Sequence, residues 1–266
     1  MMRALFTAAT GLNAQKTHVD VIANNLANVN TCGFKRQKVE FQDLIYEEVC
    51  AATDESILGV ERPVPIELGS GVKVAATTRV FSQGMLKETG RNLDIAIQGE
   101  GFFQIELPDG RTAFTRNGEF HINSRGEMTT ADGLRVANPN VTFDENTNIQ
   151  SIVHAPDGTI LAKRRDNPEE NVTVGRLQLA VFRNPEGLKA IGNNLFIRTP
   201  ASGAPEVRPP GENGAGQLMC GFCESSNVNV VTELIDMIIA QRSYEVNSRA
   251  IRTSDEMLQT ANQLLR

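Results

Sequence analysis

The chain has 266 residues, enough for two domains or for one domain with long helical arms. Its 40% hydrophobic content supports a real core, although only 5% is aromatic and Trp is absent. A formal charge of −6 argues against nucleic acid as the main partner.

From the N-terminus, Leu5, Ala8, Leu12, Gln15, Val19, Ile22, Leu26 and Val29 step by 3 and 4 in alternation. All but Gln15 are apolar, which predicts a long helix carrying a heptad seam of the coiled-coil kind. The helix should end near Asn28–Asn30, at the turn Asn30-Thr31-Cys32-Gly33, where Gly33 supplies a left-handed backbone position. No cleavable leader is expected, because Asn13, Gln15, Lys16 and Asp20 interrupt any apolar h-region. No apolar run is long enough for a membrane span. Residues 1–33 are therefore read as one helical arm.

Phe34 then leads a basic cluster of Lys35, Arg36 and Lys38. Its spacing fits either a site for an acidic surface or a solvated turn. Residues 34–70 read as an irregular connection. Val39, Phe41, Leu44 and Ile45 suggest one short ordered piece within it, and 47–68 form an acidic insert punctuated by Pro63 and Pro65. Within that insert Ile57, Leu58, Val60 and Ile66 are the apolar residues able to dock on another surface.

Residues 71–225 have the texture of strands. Val72–Ala75, Thr77–Phe81 and Leu93–Ile97 alternate or run apolar. Turn dipeptides follow at Asp109-Gly110, Asn117-Gly118, Arg125-Gly126 and Asp132-Gly133, which predicts an antiparallel meander. Asp157-Gly158 adds a hairpin, and 174–182 reads as one long final strand. Gly- and Pro-rich residues 199–216 lead back to a helix.

That helix, within 226–266, starts at the N-cap candidate Asn229 and contains no Gly or Pro. It carries two apolar stripes. One repeats every seven residues, at Val230, Met237, Tyr244, Ile251, Leu258 and Leu265. The other runs through Val231, Ile235, Ile239, Val246, Ala250, Met257, Ala261 and Leu264. At about 100° per residue the two lie on different faces, so the helix asks for partners on two sides.

The chemistry-bearing residues are sparse. Cys220-Gly-Phe-Cys223 has the C-x-x-C spacing, but it sits in an extended, Gly-rich stretch instead of at a helix start. There is no second pair for a zinc ribbon, and His18, His121 and His154 are scattered. Unpaired structural thiols are the expected reading for all four cysteines, with redox or metal roles as the alternative. No catalytic, cofactor-binding or metal-binding residues are expected. The fold class is α+β: long terminal helices forming a coiled-coil-like domain, and a β-rich antiparallel centre.

Three longer motifs go further. Ala23–Arg36 (ANNLANVNTCGFKR), Gln83–Leu86 with Leu93–Phe103, and Gly214–Leu218 with Ser226–Val230 and Gln241–Asn247 occur in the order of the signatures of the bacterial flagellar rod and hook family, which the chain resembles over nearly its whole length. There is no room for the extra outer domain of a hook protein, so the resemblance is nearest to the distal-rod members, with a proximal-rod member as the alternative. A hydrolase or redox enzyme on the β domain is the rival from another class. The resemblance implies a structural, non-enzymatic subunit without cofactor. It implies self-assembly into a helical, hollow, rigid drive shaft that transmits torque to the hook. It also implies export unfolded through the flagellar type III apparatus, and a place in the periplasmic rod beside proximal rod, hook and surrounding ring proteins. The seam residues Leu5, Leu12, Val19, Ile22, Leu26 and Val29, with the seven-residue stripe from Val230 to Leu265, would then form the assembly interface. The 47–68 insert would brace neighbouring subunits, helped by Lys35, Arg36 and Lys38.

Overall fold

A computed structural model describes residues 2–50, 64–137, 141–143, 147–155, 157–164, 171–212 and 214–264. The chain is α+β and divides into two compact units. The first comprises Met1–Ala27, Gln37–Arg79 and Asn229–Arg266; the second comprises Asn28–Arg36 and Val80–Val228.

In the first unit, α1 (Met2–Ala27) lies antiparallel to α2 (Val230–Leu264), so that Asn25 meets Glu233 while Val19 shares a groove with Tyr244. Asn229 caps α2 as expected: its side-chain oxygen accepts from the amides of Val231 (3.0 Å) and Thr232 (3.3 Å). Glu233 follows in the first turn, where a carboxylate complements the helix dipole. Beside the helices, β1 (Gln37–Asp43) pairs with β4 (Val72–Arg79), and β2 (Tyr46–Cys50) pairs with β3 (Ile66–Gly69), both antiparallel.

The strand β1 overlaps the short ordered piece expected around Val39–Ile45, while β2 and β3 fall at the two ends of the segment expected to be irregular. In β1 only Val39 is buried, and in β2 and β3 none is, so burial imposes no alternation on the sequence. Backbone pairing alone defines these strands, and it leaves no mark in residue type. The strand β4 also joins the helical unit instead of opening the β-rich one.

The second unit follows with β5 (Leu86–Glu88), β6 (Ile95–Gln98), β7 (Phe103–Glu106), β8 (Thr112–Thr115), β9 (His121–Ile122), β10 (Met128–Thr129) and β11 (Arg135–Val136). Next come β12 (Thr147–His154), β13 (Thr159–Arg164), β14 (Asn171–Arg176), β15 (Leu179–Val181), β16 (Lys189–Gly192) and β17 (Leu195–Ile197). The last are β18 (Glu206–Arg208), β19 (Gln217–Cys220) and β20 (Phe222–Glu224). The largest sheet has the order β16-β17-β8-β7-β11-β10-β9.

The hairpins at Asp109-Gly110, Arg125-Gly126, Asp132-Gly133 and Asp157-Gly158 form as expected. The one at Asn117-Gly118 does not, because β8 and β9 are not neighbours and β11 pairs with β7 instead. Gly118 serves a close backbone approach. Its carbonyl accepts from the Ile95 amide at 3.0 Å, and a Cβ there would stand 1.7 Å from the Ile95 carbonyl oxygen. The expected long strand over 174–182 is also broken, into β14 and β15, with Leu177 buried in the core between them.

Ile95, Ile97, Phe103, Ile105, Phe120 and Leu179 anchor the main core of this unit. A second cluster stacks Phe102, Phe114, Phe182 and Phe196, with Phe102–Phe182 and Phe114–Phe182 edge to face at 5.7 and 4.7 Å.

Candidate assembly surface

The first helix seam is partly consumed inside the chain. Ile22 is buried, whereas Leu5, Leu12, Val19 and Leu26 are half-buried. Val29 lies beyond the helix, in the second unit, and is also half-buried. On α2 the seven-residue stripe behaves similarly: Met237, Ile251 and Leu258 are half-buried, while Val230 and Tyr244 remain 40% and 45% exposed. Leu265 lies outside the described residues.

The residues of α2 that are fully buried are Glu233, Ala240 and Ser254, small or polar side chains that the apolar pattern did not single out. Asn25 explains one of them. Its amide nitrogen donates to Glu233 Oε2 at 3.1 Å and to the Gln37 carbonyl at 2.8 Å, and its oxygen accepts from the Gln37 amide at 2.9 Å. A buried carboxylate is thereby hydrogen-bonded, which is the condition for tolerating it.

Among the described residues, the second stripe is largely exposed. Val231, Ile235, Ile239, Val246, Met257 and Leu264 are all exposed, and Leu234 and Ile238 widen the band in the first turns of α2. Among them Val231 and Ile238 are 65% and 58% accessible. Contiguous apolar surface of this kind marks an interaction site. Leu234 and Ile238 belong to neither of the periodic stripes read from the sequence; the signal that could have found them was the density of the run Val230–Ile239. Elsewhere on this unit an open groove of about 450 Å³ runs between the helices, lined by Lys16, Val19, Asp20, Gln241, Tyr244 and Glu245.

Among the described residues, the paired strands β2 and β3 carry a second exposed apolar surface. Tyr46, Val49, Val64, Ile66 and Leu68 are all exposed. Of the expected docking residues, Ile66 is thus placed on a strand, while Ile57, Leu58 and Val60 lie outside the described residues.

The basic cluster is split: Lys38 is exposed and Arg36 half-buried, but Lys35 is not at the surface, contrary to both sequence readings for that residue. Lys35 belongs to the second unit and is fully buried; its ammonium donates to Glu224 Oε1 at 2.6 Å and to the Ser82 carbonyl at 2.7 Å. Glu224 Oε1 also accepts from the Gly84 amide at 2.9 Å, and Arg116 Nη1 stands 3.8 Å from Glu224 Oε2. Arg116 in turn donates to the Gly99 carbonyl at 2.7 Å. Burial pulls Lys35 below the usual lysine range, the facing Glu224 opposes that shift, and the second cation of Arg116 adds to it. Burial likewise lowers Arg116. Gly33, at φ 71°, ends the turn as expected and donates its amide to the Glu224 carbonyl at 2.7 Å. The motif around residue 35 therefore builds the fold, and Lys35 is not free to brace a neighbouring subunit. Among the described residues no helix is long and apolar enough to cross a membrane.

Three family models match. Residues 5–35 match "Flagella basal body rod protein", 96–162 match "Flagellar hook protein FlgE/F/G D1 domain", and 220–264 match "Flagellar basal body rod FlgEFG protein C-terminal". Among full-length relatives, the flagellar basal-body rod protein FlgG of Borreliella burgdorferi is 46% identical over 100% of both chains. That of Caulobacter vibrioides is 46% identical over 99% of each. The flagellar hook-basal body complex protein FlhP of Bacillus subtilis is 30% identical over 98% of this chain and 99% of its own.

Proposed function

Because the chain belongs to the flagellar basal-body rod family and is a structural subunit of the flagellum's distal rod, we propose that its helical unit is completed by further copies of itself. The observation that carries this reading is the uncovered band Val231, Leu234, Ile235, Ile238, Ile239 and Val246 on α2. Complete burial of such a side chain from water is worth about 1.5–3 kcal/mol, of which these, 43–65% exposed, have roughly half still to gain. Copies related by one repeated, non-closing contact give a helical polymer, and α1–α2 pairs packed side by side in a coiled-coil manner give its hollow wall. The half-buried seam residues from Leu5 to Leu26 and from Met237 to Leu258 hold each pair together, and the outer band joins pair to pair.

In this reading the subunit is non-enzymatic. It lies in the periplasmic rod, meets proximal rod and hook proteins at the ends of the polymer and ring proteins around it, and arrives through the export apparatus. The hairpin β2–β3 extends the same logic. An isolated two-stranded hairpin is marginal in water, and this one shows its apolar side chains to solvent. Docking of Ile66 and its neighbours, with Ile57, Leu58 and Val60, on the next subunit would stiffen the shaft. Deletion of residues 47–68 is then expected to give curved or softer filaments, and rods of unchanged stiffness would remove that role.

The main test places charges in the band. The full chain with Ile235→Glu and Ile239→Glu should stay a small particle with unchanged far-UV circular dichroism, because the carboxylates would have to be desolvated on assembly. Wild-type chain under the same conditions should form tubes or filaments in electron micrographs. Filaments from the double variant would refute the proposed contact.

A further inference from the structure

Two thiols far apart in sequence meet in the second unit. Cys32 lies in the turn after α1 and Cys223 in β20; their Sγ atoms are 3.2 Å apart across a sequence separation of 191. The backbone is fixed on both sides of the pair. The Cys32 carbonyl accepts from Asn194 Nδ2 at 3.0 Å, the next amide, Gly33, donates to the Glu224 carbonyl, and Cys223 is held in the ladder opposite Lys87 of β5. A disulfide requires about 2.05 Å between sulfurs, so the two have about 1 Å left to approach. The other cysteines are placed elsewhere: the Cys220 thiol donates to the Asn92 carbonyl at 3.3 Å, and Cys50 belongs to the first unit.

We propose that Cys32 and Cys223 form an intrachain disulfide when the chain meets an oxidising environment. The oxidant is a disulfide-bearing molecule. The thiolate of half-buried Cys32 attacks one of its sulfurs and releases the first thiolate; Cys223, deprotonated in turn, displaces the second and forms the Sγ–Sγ bond. Two protons and two electrons leave the protein, and the oxidant departs as a pair of thiols. Burial, then the contacts with Cys223 and Glu119, hold the Cys32 thiol above its ordinary range. The bond ties the segment by which the chain enters this unit, Asn28–Arg36, to the strand that precedes its exit at Val228. The unit is then closed against unravelling from both ends, whether or not the helices assemble.

The experiment uses the full chain, refolded in a glutathione–glutathione disulfide buffer with chelator. Free thiols are blocked, the protein is denatured, and its peptides are mapped. Of the four thiols, two are expected to remain, with one cross-linked peptide joining Cys32 to Cys223; Cys220→Ser should keep that cross-link and Cys32→Ser should lose it. Four free thiols, or a Cys220–Cys223 bond, would overturn the inference. Glu119 lies within reach of both thiols, all three ligand atoms being within 4.8 Å of one another. A chain that stays reduced in this buffer without chelator, yet has both thiols protected by one added zinc ion, would replace the disulfide with a metal site.

Discussion

The two units of this chain meet the same physical demand in opposite ways. The β-rich unit hides its large apolar side chains: Phe103, Phe114, Phe120, Phe196, Ile95 and Ile105 are all fully buried, and the buried Lys35 is paired with Glu224. The helical unit buries few apolar residues, namely Ala8, Ala14, Ile22, Val39 and Ala240 among the described ones, while whole turns of α2 present Val, Leu and Ile to water. The difference teaches where each unit's stability comes from. A sheet with two aromatic clusters has its hydrophobic free energy inside the chain. A pair of long helices with one uncovered band has part of its own still to gain, which is the physical definition of a subunit.

The β-rich unit depends most on Glu224. Glu224→Ala would leave Lys35 and Arg116 buried without their shared anion, and removal of one partner of a buried pair costs about 3–5 kcal/mol. Amide hydrogen exchange of β6 to β8 across a urea series should show that loss in the β-rich unit. A variant as stable as wild type would mean that this unit does not depend on its internal pairing. At the other extreme, Ile238→Ser removes a large apolar side chain that is 58% exposed, so monomer stability should change by no more than about 0.5 kcal/mol. Polymer yield should fall in the same variant. A large loss of monomer stability would show that Ile238 is already packed within the chain.

Sequence periodicity carried the helical unit well. The seam from Leu5 to Leu26 and the cap at Asn229 locate both helices, because a 3.6-residue repeat is a local property. The hairpin dipeptides were legible for the same reason. What escaped was non-local. Nothing in the run Phe34–Lys38 reveals that Lys35 faces a carboxylate 189 residues away, and nothing near Cys32 points to Cys223. Likewise Asn117-Gly118 has the composition of a turn, but the demand on Gly118 comes from the Ile95 backbone. The strand β1 overlaps the short ordered piece expected around Val39–Ile45, whereas β2 and β3 escaped because their side chains are mostly exposed. Of the candidate surface, the second stripe of α2 was visible in the sequence as one of two; that it is the uncovered one followed only from the packing of α1.

Amide hydrogen exchange, measured on the full chain before and after polymerisation, tests the contrast between the units most directly. Open, locally unfolding elements exchange through small free-energy gaps and packed ones through large gaps. Weak protection is expected along α2 in the monomer, rising about tenfold or more in the polymer, while β6 to β8 are strongly protected and unchanged in both. Full protection of α2 already in the monomer, or a polymer in which only the β-rich unit gains protection, would contradict that contrast.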